Sequence, residues 1–304
     1  MIFVMNSVVS YPDRGEGGRN SYRGNCSPRL IEDLIDQYKI RYLSDYMVGG
    51  GTTEDVCRSR KISGTYCDLN RGFDLMTMEI PDRPANIFWH PPYGSMIVYS
   101  DQMYKARDII DRYGFDPRVN DLSRAKDWDD FVKKMNFCML KQYCSLEKGG
   151  RMFVLMGDWK QRGKLYSMLC DIAKPGTLEQ IIIKMQHNCV SDSRSYSNRS
   201  FVPIVHEYCM VVRKEAALVI PVVISKKSEM DMRDSHNTTW RDVVAAVLEE
   251  AGHPMNLDQM YKAIEGHKKC SNNQNWKAKI RQTLQLWSGF THISEGVWGL
   301  ASVA

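Results

Sequence analysis

A chain of 304 residues holds one large domain and a small one, or two of medium size. Its 43% hydrophobic and 25% charged content is that of an ordinary globular protein, and no apolar run approaches the roughly 18 residues that a bilayer span requires. The net charge of +5 permits nucleic-acid binding without demanding it. The apolar start Met1–Met5 is too short for a signal-peptide core and has no basic lead-in, so a cytoplasmic location is expected. The nine cysteines include no C-x-x-C pair, which points to reduced thiols with neither disulfide staples nor a zinc site.

In chain order, residues 1–20 read as a flexible arm rich in Gly, Arg, Asn and Ser. Ser27-Pro28 then supplies a hydroxyl cap and a proline at the first position of a helix over 29–38, with Leu30, Ile31, Leu34 and Ile35 on one stripe. Strands are expected at 42–43, 64–67, 85–89, 151–156, 178–185, 205–212 and 219–223. Helices are expected at 52–60, 101–113, 127–146 and 163–173. The most apolar stretch, 216–224, reads as a buried strand. Strands separated by helices imply an α/β domain over 1–225, its mostly parallel sheet covered on both faces. Residues 226–237 are polar and read as a linker. Residues 238–304 form a second unit: helices at 240–251, around 257–265 and at 275–287, then a hairpin of 290–293 with 297–300 turning through Ser294-Glu295-Gly296.

Two constellations carry chemistry. Asp45-Tyr46-Met47-Val48-Gly49-Gly50-Gly51-Thr52-Thr53 places an acid after a strand, then a glycine turn, then a helix start, so backbone N–H groups can approach a ligand closely. Its bland alternative is a tight turn with no ligand. Asp68 ends the next strand, where an acid can accept both hydroxyls of a ribose. The turn has no P-loop lysine, which disfavours triphosphate hydrolysis. The second constellation, His90-Pro91-Pro92-Tyr93-Gly94, follows the strand 85–89 directly. Its two prolines end the sheet and stiffen the loop. A strand-terminating loop with a packed tyrosine is the competing interpretation.

With both constellations in order, the chain resembles the amino-group DNA methyltransferases. Their glycine-rich cofactor turn is matched by Asp45–Thr53, and their Asp/Asn/Ser-Pro-Pro-Tyr loop by His90-Pro91-Pro92-Tyr93. Tyr22-Arg23-Gly24-Asn25-Cys26-Ser27-Pro28 resembles the segment that closes over the cofactor, and Asp74 falls where the family has an acid near adenine. Residues 149–158 and the stretch from Gln186 to Tyr208 resemble later core segments, so the likeness covers about 20–215. The resemblance implies a Rossmann-like fold of the class I methyltransferases, S-adenosyl-L-methionine as cofactor, and double-stranded DNA as partner. No metal or membrane is implied, while a second copy of the chain or a restriction partner is compatible. Tyr22, Ser27, Asp45, Gly49, Gly51, Thr52, Thr53, Asp68 and Asp74 would bind the cofactor. His90, Pro91, Pro92 and Tyr93 would be catalytic, with Tyr93 stacking on a flipped base.

His90 departs from the family pattern, because a side-chain oxygen usually accepts a hydrogen from the target amino group there. A neutral imidazole can do the same and an imidazolium cannot. The implied activity is methylation of adenine N6 in DNA. N4-cytosine or RNA methylation, or a DNA-binding regulator with a methyltransferase fold and no activity, are the alternatives. The tail resembles winged-helix modules, whose third helix would present Lys277, Arg281 and Gln285 to DNA; a protein-interaction face is the other reading. Arg194 and Arg199, in the polar loop 190–200, are further candidates for gripping DNA.

Overall fold

A computed structural model of the chain describes residues 4–187, 201–226, 228–235 and 237–301, in two compact units, Met1–Ser225 and Lys226–Ala304. In the first unit the elements follow in order as β1 (Val8–Val9), α1 (Pro28–Tyr38), α2 (Thr52–Ser59), β2 (Asn86–Trp89), α3 (Ala106–Tyr113), α4 (Trp128–Ser145), β3 (Arg151–Met156), β4 (Trp159–Gln161), β5 (Lys164–Tyr166), α5 (Met168–Asp171), β6 (Lys174–Pro175), β7 (Thr177–Met185), β8 (His206–Arg213) and β9 (Val222–Val223). The central sheet runs β1-β7-β8-β3-β2. Parallel bridges Ser44–Ile87, Asp45–Tyr66 and Tyr42–Ser63 extend it past β2 with two further extended segments. Only β8 runs against the rest, pairing antiparallel with both β3 and β7. The unit is therefore mixed α/β with a mostly parallel sheet.

Alternation along the strands assigns each side chain to one of two cores. Ile87, Trp89, Met152, Val154, Met156, Met210 and Val212 face α4, which contributes Phe131, Met135, Cys138, Met139 and Tyr143. Phe88, Phe153, Leu155, Cys209 and Val211 face the opposite way, onto Leu30, Ile31, Leu34 and Ile35 of α1 and Val56 and Cys57 of α2. Strands buried on both faces read as continuous apolar runs, as β3 does. Each large side chain so buried contributes about 1.5–3 kcal/mol.

Several expectations are corrected. The arm is not loose: Val8 and Val9 pair with Ile183 and Lys184 of β7, the Tyr11 hydroxyl donates to Asp33, and the Arg19 amide donates to the Gly50 carbonyl. The helix expected at 163–173 starts instead as the second arm of a hairpin, β4–β5, whose turn residues Arg162 and Gly163 both have positive φ, as the tight turns of twisted hairpins require; only the single turn α5 is helical. The helix expected at 101–113 begins at Ala106, because Asp101 adopts φ 72° and the chain bends back to bridge Ser100 with Tyr104. The stretch 216–224 is not buried. Leu218 is 94% and Val219 82% exposed, and only Val222–Val223 pair, with β6.

The second unit contains α6 (Trp240–Ala251), β10 (Met255–Asn256), α7 (Leu257–Ile264), α8 (Lys268–Ser271), α9 (Trp276–Leu286), β11 (Phe290–Ser294) and β12 (Val297–Leu300). Capping boxes at Thr239/Asp242 and Asn256/Gln259 start α6 and α7, and Gly252 with φ 68° ends α6. Val243, Val244, Leu248, Met260, Ile264, Ile280 and Leu284 form its core, beside an antiparallel sheet of order β10-β12-β11. Part of the stretch read as a linker belongs to this unit: Arg233 donates to the Ala263 carbonyl, and Asp234 accepts from the Lys268 amide. Among the described residues no helix is long and apolar enough to cross a membrane.

Candidate active-site cleft

The bridged segments 42–45 and 63–66 and strand β2 run parallel, so Asp45, Asp68 and His90 emerge at the same sheet edge, where open α/β sheets bind ligands. A cleft of about 810 Å³, its open mouth included, lies there. Tyr22, Asp45, Gly49, Thr52, Thr53, Asp68 and Asp74 line it, and so do His90 and Pro92. The structure thus brings the glycine turn and the proline loop to a single cavity.

The glycine turn is built from within. Gly49 and Gly51 have φ of 50° and 92°, which glycine adopts without strain. A Cβ on Gly49 would lie 2.9 Å from the Tyr22 ring, and one on Gly50 2.5 Å from Asn25 Oδ1. Asp45 is 2% exposed and both its oxygens are used: the Thr53 hydroxyl donates to one at 2.6 Å and the Met47 amide to the other at 2.9 Å. Burial pushes its carboxyl up to about 7, against those two hydrogen bonds. Asp68 accepts from the Gly49 amide at 2.8 Å and from the Asn70 amide at 2.9 Å, one bond on each oxygen. A second lone pair on each remains for a ligand hydroxyl. Burial raises its carboxyl too.

Asp74 accepts from the Met76 amide, the Thr77 hydroxyl and, at 2.6 Å, Asn120 Nδ2. Thr52, at the start of α2, is 4% exposed, lines the cleft, and its hydroxyl oxygen has no hydrogen-bond partner. That oxygen lies under the N-terminal segment, where a Cβ added to Gly18 would come within 2.2 Å of it, so the residue lines the cleft while its hydroxyl is covered.

The proline loop differs. His90 Nε2 lies 2.9 Å from the Tyr93 hydroxyl, which donates to Glu207 Oε1 at 2.7 Å, and Glu207 Oε2 accepts from Lys184 Nζ at 2.6 Å. Burial pulls the His90 imidazole down to about 4, so it is neutral at ordinary pH. Burial also drives the Tyr93 phenol well above its ordinary range.

Ser27, Gly51, Pro91 and Tyr93 do not line the cleft. The Ser27 hydroxyl donates to the Arg14 carbonyl at 2.9 Å, holding the N-terminal segment against α1 instead of capping that helix. Tyr93 lies along Gly157, where an added Cβ would come within 2.6 Å of the ring, and its hydroxyl is engaged by Glu207. The sequence reading missed Tyr99, Tyr104, Phe73 and Asn120, which line the cleft, and the pair Lys184–Glu207. The aromatic interleaving of Tyr99 and Tyr104 in a polar run was the available signal. For Lys184 and Glu207 none existed locally.

In the second unit Lys277, Arg281 and Gln285 are exposed on α9. Arg281 donates to the Tyr261 hydroxyl at 2.9 Å, and Lys277 Nζ sits 5.3 Å from the centre of that ring, so both cations gather over one tyrosine. Arg194 and Arg199 lie outside the described residues. Among the described residues, Asp231, Asp234 and His267 bring potential metal-ligating atoms within 4.8 Å of one another. Asp231 is already paired with Arg233, and Asp234 accepts from His267 and the Lys268 amide.

No family model and no curated protein matches the chain. Among solved structures it is similar to the crystal structure of TrmN from Thermus thermophilus, at 13% identity and a TM-score of 0.27, over 63% of this chain and 50% of that one. The chain thus spans half the length of that structure, and a likeness this distant assigns no family.

Proposed function

We propose that the chain is an S-adenosyl-L-methionine-dependent methyltransferase acting on the exocyclic amino group of a nucleic-acid base, with N6 of adenine in DNA as its substrate. One observation carries this reading: the glycine turn and, from the proline loop, His90 and Pro92 line the same cleft. The cofactor supplies an electrophilic methyl group on a sulfonium. The backbone of the glycine turn would hold its polar end, and the free lone pairs of Asp68 its ribose hydroxyls. Asp45 and Asp74 act one step back, since their oxygens already shape the turn and the wall.

A base amino group is a poor nucleophile, because its lone pair is delocalised into the ring. Accepting one of its hydrogens on His90, which lines the cleft, would draw the nitrogen toward tetrahedral geometry. Positioning supplies most of the remaining acceleration. The base must leave a duplex to reach the sheet edge, and Phe73, Tyr99 and Tyr104 offer the flat apolar faces it would meet. The second unit, three helices and a small antiparallel sheet, is proposed as a winged-helix module that places Lys277 and Arg281 on DNA phosphates or base edges.

Tritiated methyl transfer from the cofactor to DNA and RNA, followed by nucleoside digestion and mass analysis, tests the proposal. Label in N6-methyl-2′-deoxyadenosine from DNA is the expected result. Label in N4-methylcytosine or in RNA would overturn the substrate, and no label in either polymer would favour the inactive regulator.

A further inference from the structure

Lys184 on β7 and Glu207 on β8 are register partners, 8% and 7% exposed, and their side chains pair at 2.6 Å. Such a pair is costly to bury and gives little stability over apolar residues of the same volume. Its position shows another use. Glu207 turns its second oxygen to the Tyr93 hydroxyl at 2.7 Å, and Tyr93 meets His90 Nε2 at 2.9 Å.

Counting hydrogens fixes the direction of every bond. Lysine only donates and a carboxylate only accepts. The one hydroxyl hydrogen of Tyr93 is directed at Glu207, so toward His90 its oxygen can only accept. His90 must therefore carry its hydrogen on Nε2. A neutral imidazole has a single N–H, which leaves Nδ1 a bare acceptor on a residue that lines the cleft. No hydrogen bond of the described residues uses Nδ1.

The charge states agree. Burial pushes the Glu207 carboxyl up, but the Lys184 charge and the hydrogen bonds from Lys184 and Tyr93 hold the group below its usual range. Glu207 is thus a carboxylate, the acceptor this count requires.

We propose that Glu207, aimed by Lys184, is a positioning residue that fixes His90 in the Nε2–H tautomer through the Tyr93 hydroxyl, leaving Nδ1 to accept a hydrogen from the substrate amino group. The last step rests on the methyltransferase reading; the tautomer does not. In this arrangement an imidazole does the work of the side-chain oxygen that the resembled family places at the same position. Tyr93 transmits an orientation rather than touching the base.

Glu207→Gln reverses the chain of bonds. Lys184, a donor only, claims the amide oxygen, so the amide N–H faces Tyr93 and the phenolic hydrogen turns toward His90 Nε2. The imidazole hydrogen then moves to Nδ1, and the cleft loses its acceptor. In the double variant Glu207→Gln/Lys184→Met the amide is free to turn its oxygen to Tyr93, which restores the original tautomer without the ion pair.

The experiment is ¹⁵N-edited NMR of the imidazole nitrogens in the full chain, with single-turnover methyl transfer on the same samples. The expected result is Nε2–H in the wild type, Nδ1–H in Glu207→Gln and Nε2–H again in the double variant. The rate should fall by about 10²-fold in the single variant and recover in the double, with cofactor affinity unchanged throughout. Nδ1–H in the wild type, or one tautomer in all three proteins, overturns the proposal. The expected tautomers in proteins that transfer no methyl group, wild type included, uphold the relay and defeat the methyltransferase reading instead.

Discussion

The two halves of the cleft solve the problem of buried polar groups in opposite ways. On the glycine-turn side, Asp45, Asp68 and Asp74 are met mainly by nearby backbone amides and hydroxyls, Asn120 being the one distant partner. On the proline-loop side the partners come from afar: Tyr93 reaches Glu207 114 residues on, and Glu207 reaches back to Lys184. A locally satisfied wall suits a binding surface that must be preformed. A remote relay suits one group, His90, whose hydrogen must sit on a particular nitrogen.

The contrast is broken hardest at Lys184. Lys184→Met leaves Glu207 buried without its cation, and a loss of about 3–5 kcal/mol is expected in denaturant unfolding. A loss under about 1 kcal/mol, the value of an exposed pair, would mean that the relay is not truly buried.

The glycine-turn side is probed by pH. The Asp45 carboxyl binds its proton more tightly folded, at about 7, than the ordinary 3.8 of the unfolded chain. Stability from this group is therefore complete below about pH 4 and is lost as pH rises through 7. Asp45→Asn cannot ionise, so relative to it the wild type should weaken by on the order of a few kcal/mol between pH 4 and pH 8. A constant difference between the two proteins would show that Asp45 is not desolvated.

Gly49→Ala sharpens the same side. Its φ of 50° and the Tyr22 ring at 2.9 Å make any Cβ strained. About 1–2 kcal/mol is the usual cost of a left-handed residue, so cofactor affinity should drop by roughly tenfold in calorimetry while His90 is untouched.

The smallest effect belongs to the second unit. Lys277→Ala and Arg281→Ala should each lower the slope of log affinity for DNA against log salt by about 1, with methyl transfer to a free nucleoside unaltered. An unchanged slope assigns α9 to protein contact.

How much of this was legible follows from where the information sits. The strand Arg151–Met156 and the long helix α4 were plain, because an uninterrupted apolar run and an amphipathic stripe are local signals. The glycine turn and the paired prolines were plain for the same reason. The two-residue strand Val8–Val9 was not, since only β7 makes it a strand. Residues 216–224 misled, because apolar composition without a packing partner does not bury a segment. Arg162-Gly163 could have been recognised as a hairpin turn, but the amphipathic neighbours suggested a helix. The reversed direction of β8, which sets Glu207 beside Lys184, is a property of topology that no window of sequence contains.

The measurement closest to the centre of the account is single-turnover methyl transfer by His90→Ala and wild type, with cofactor affinity determined in the same samples. A rate about 10²–10³-fold lower at unchanged cofactor affinity is the expected outcome, because an acceptor used only during transfer is removed. Undiminished transfer by the alanine variant, or loss of cofactor binding in step with the rate, would contradict a cleft whose one half holds the donor while the other prepares the base.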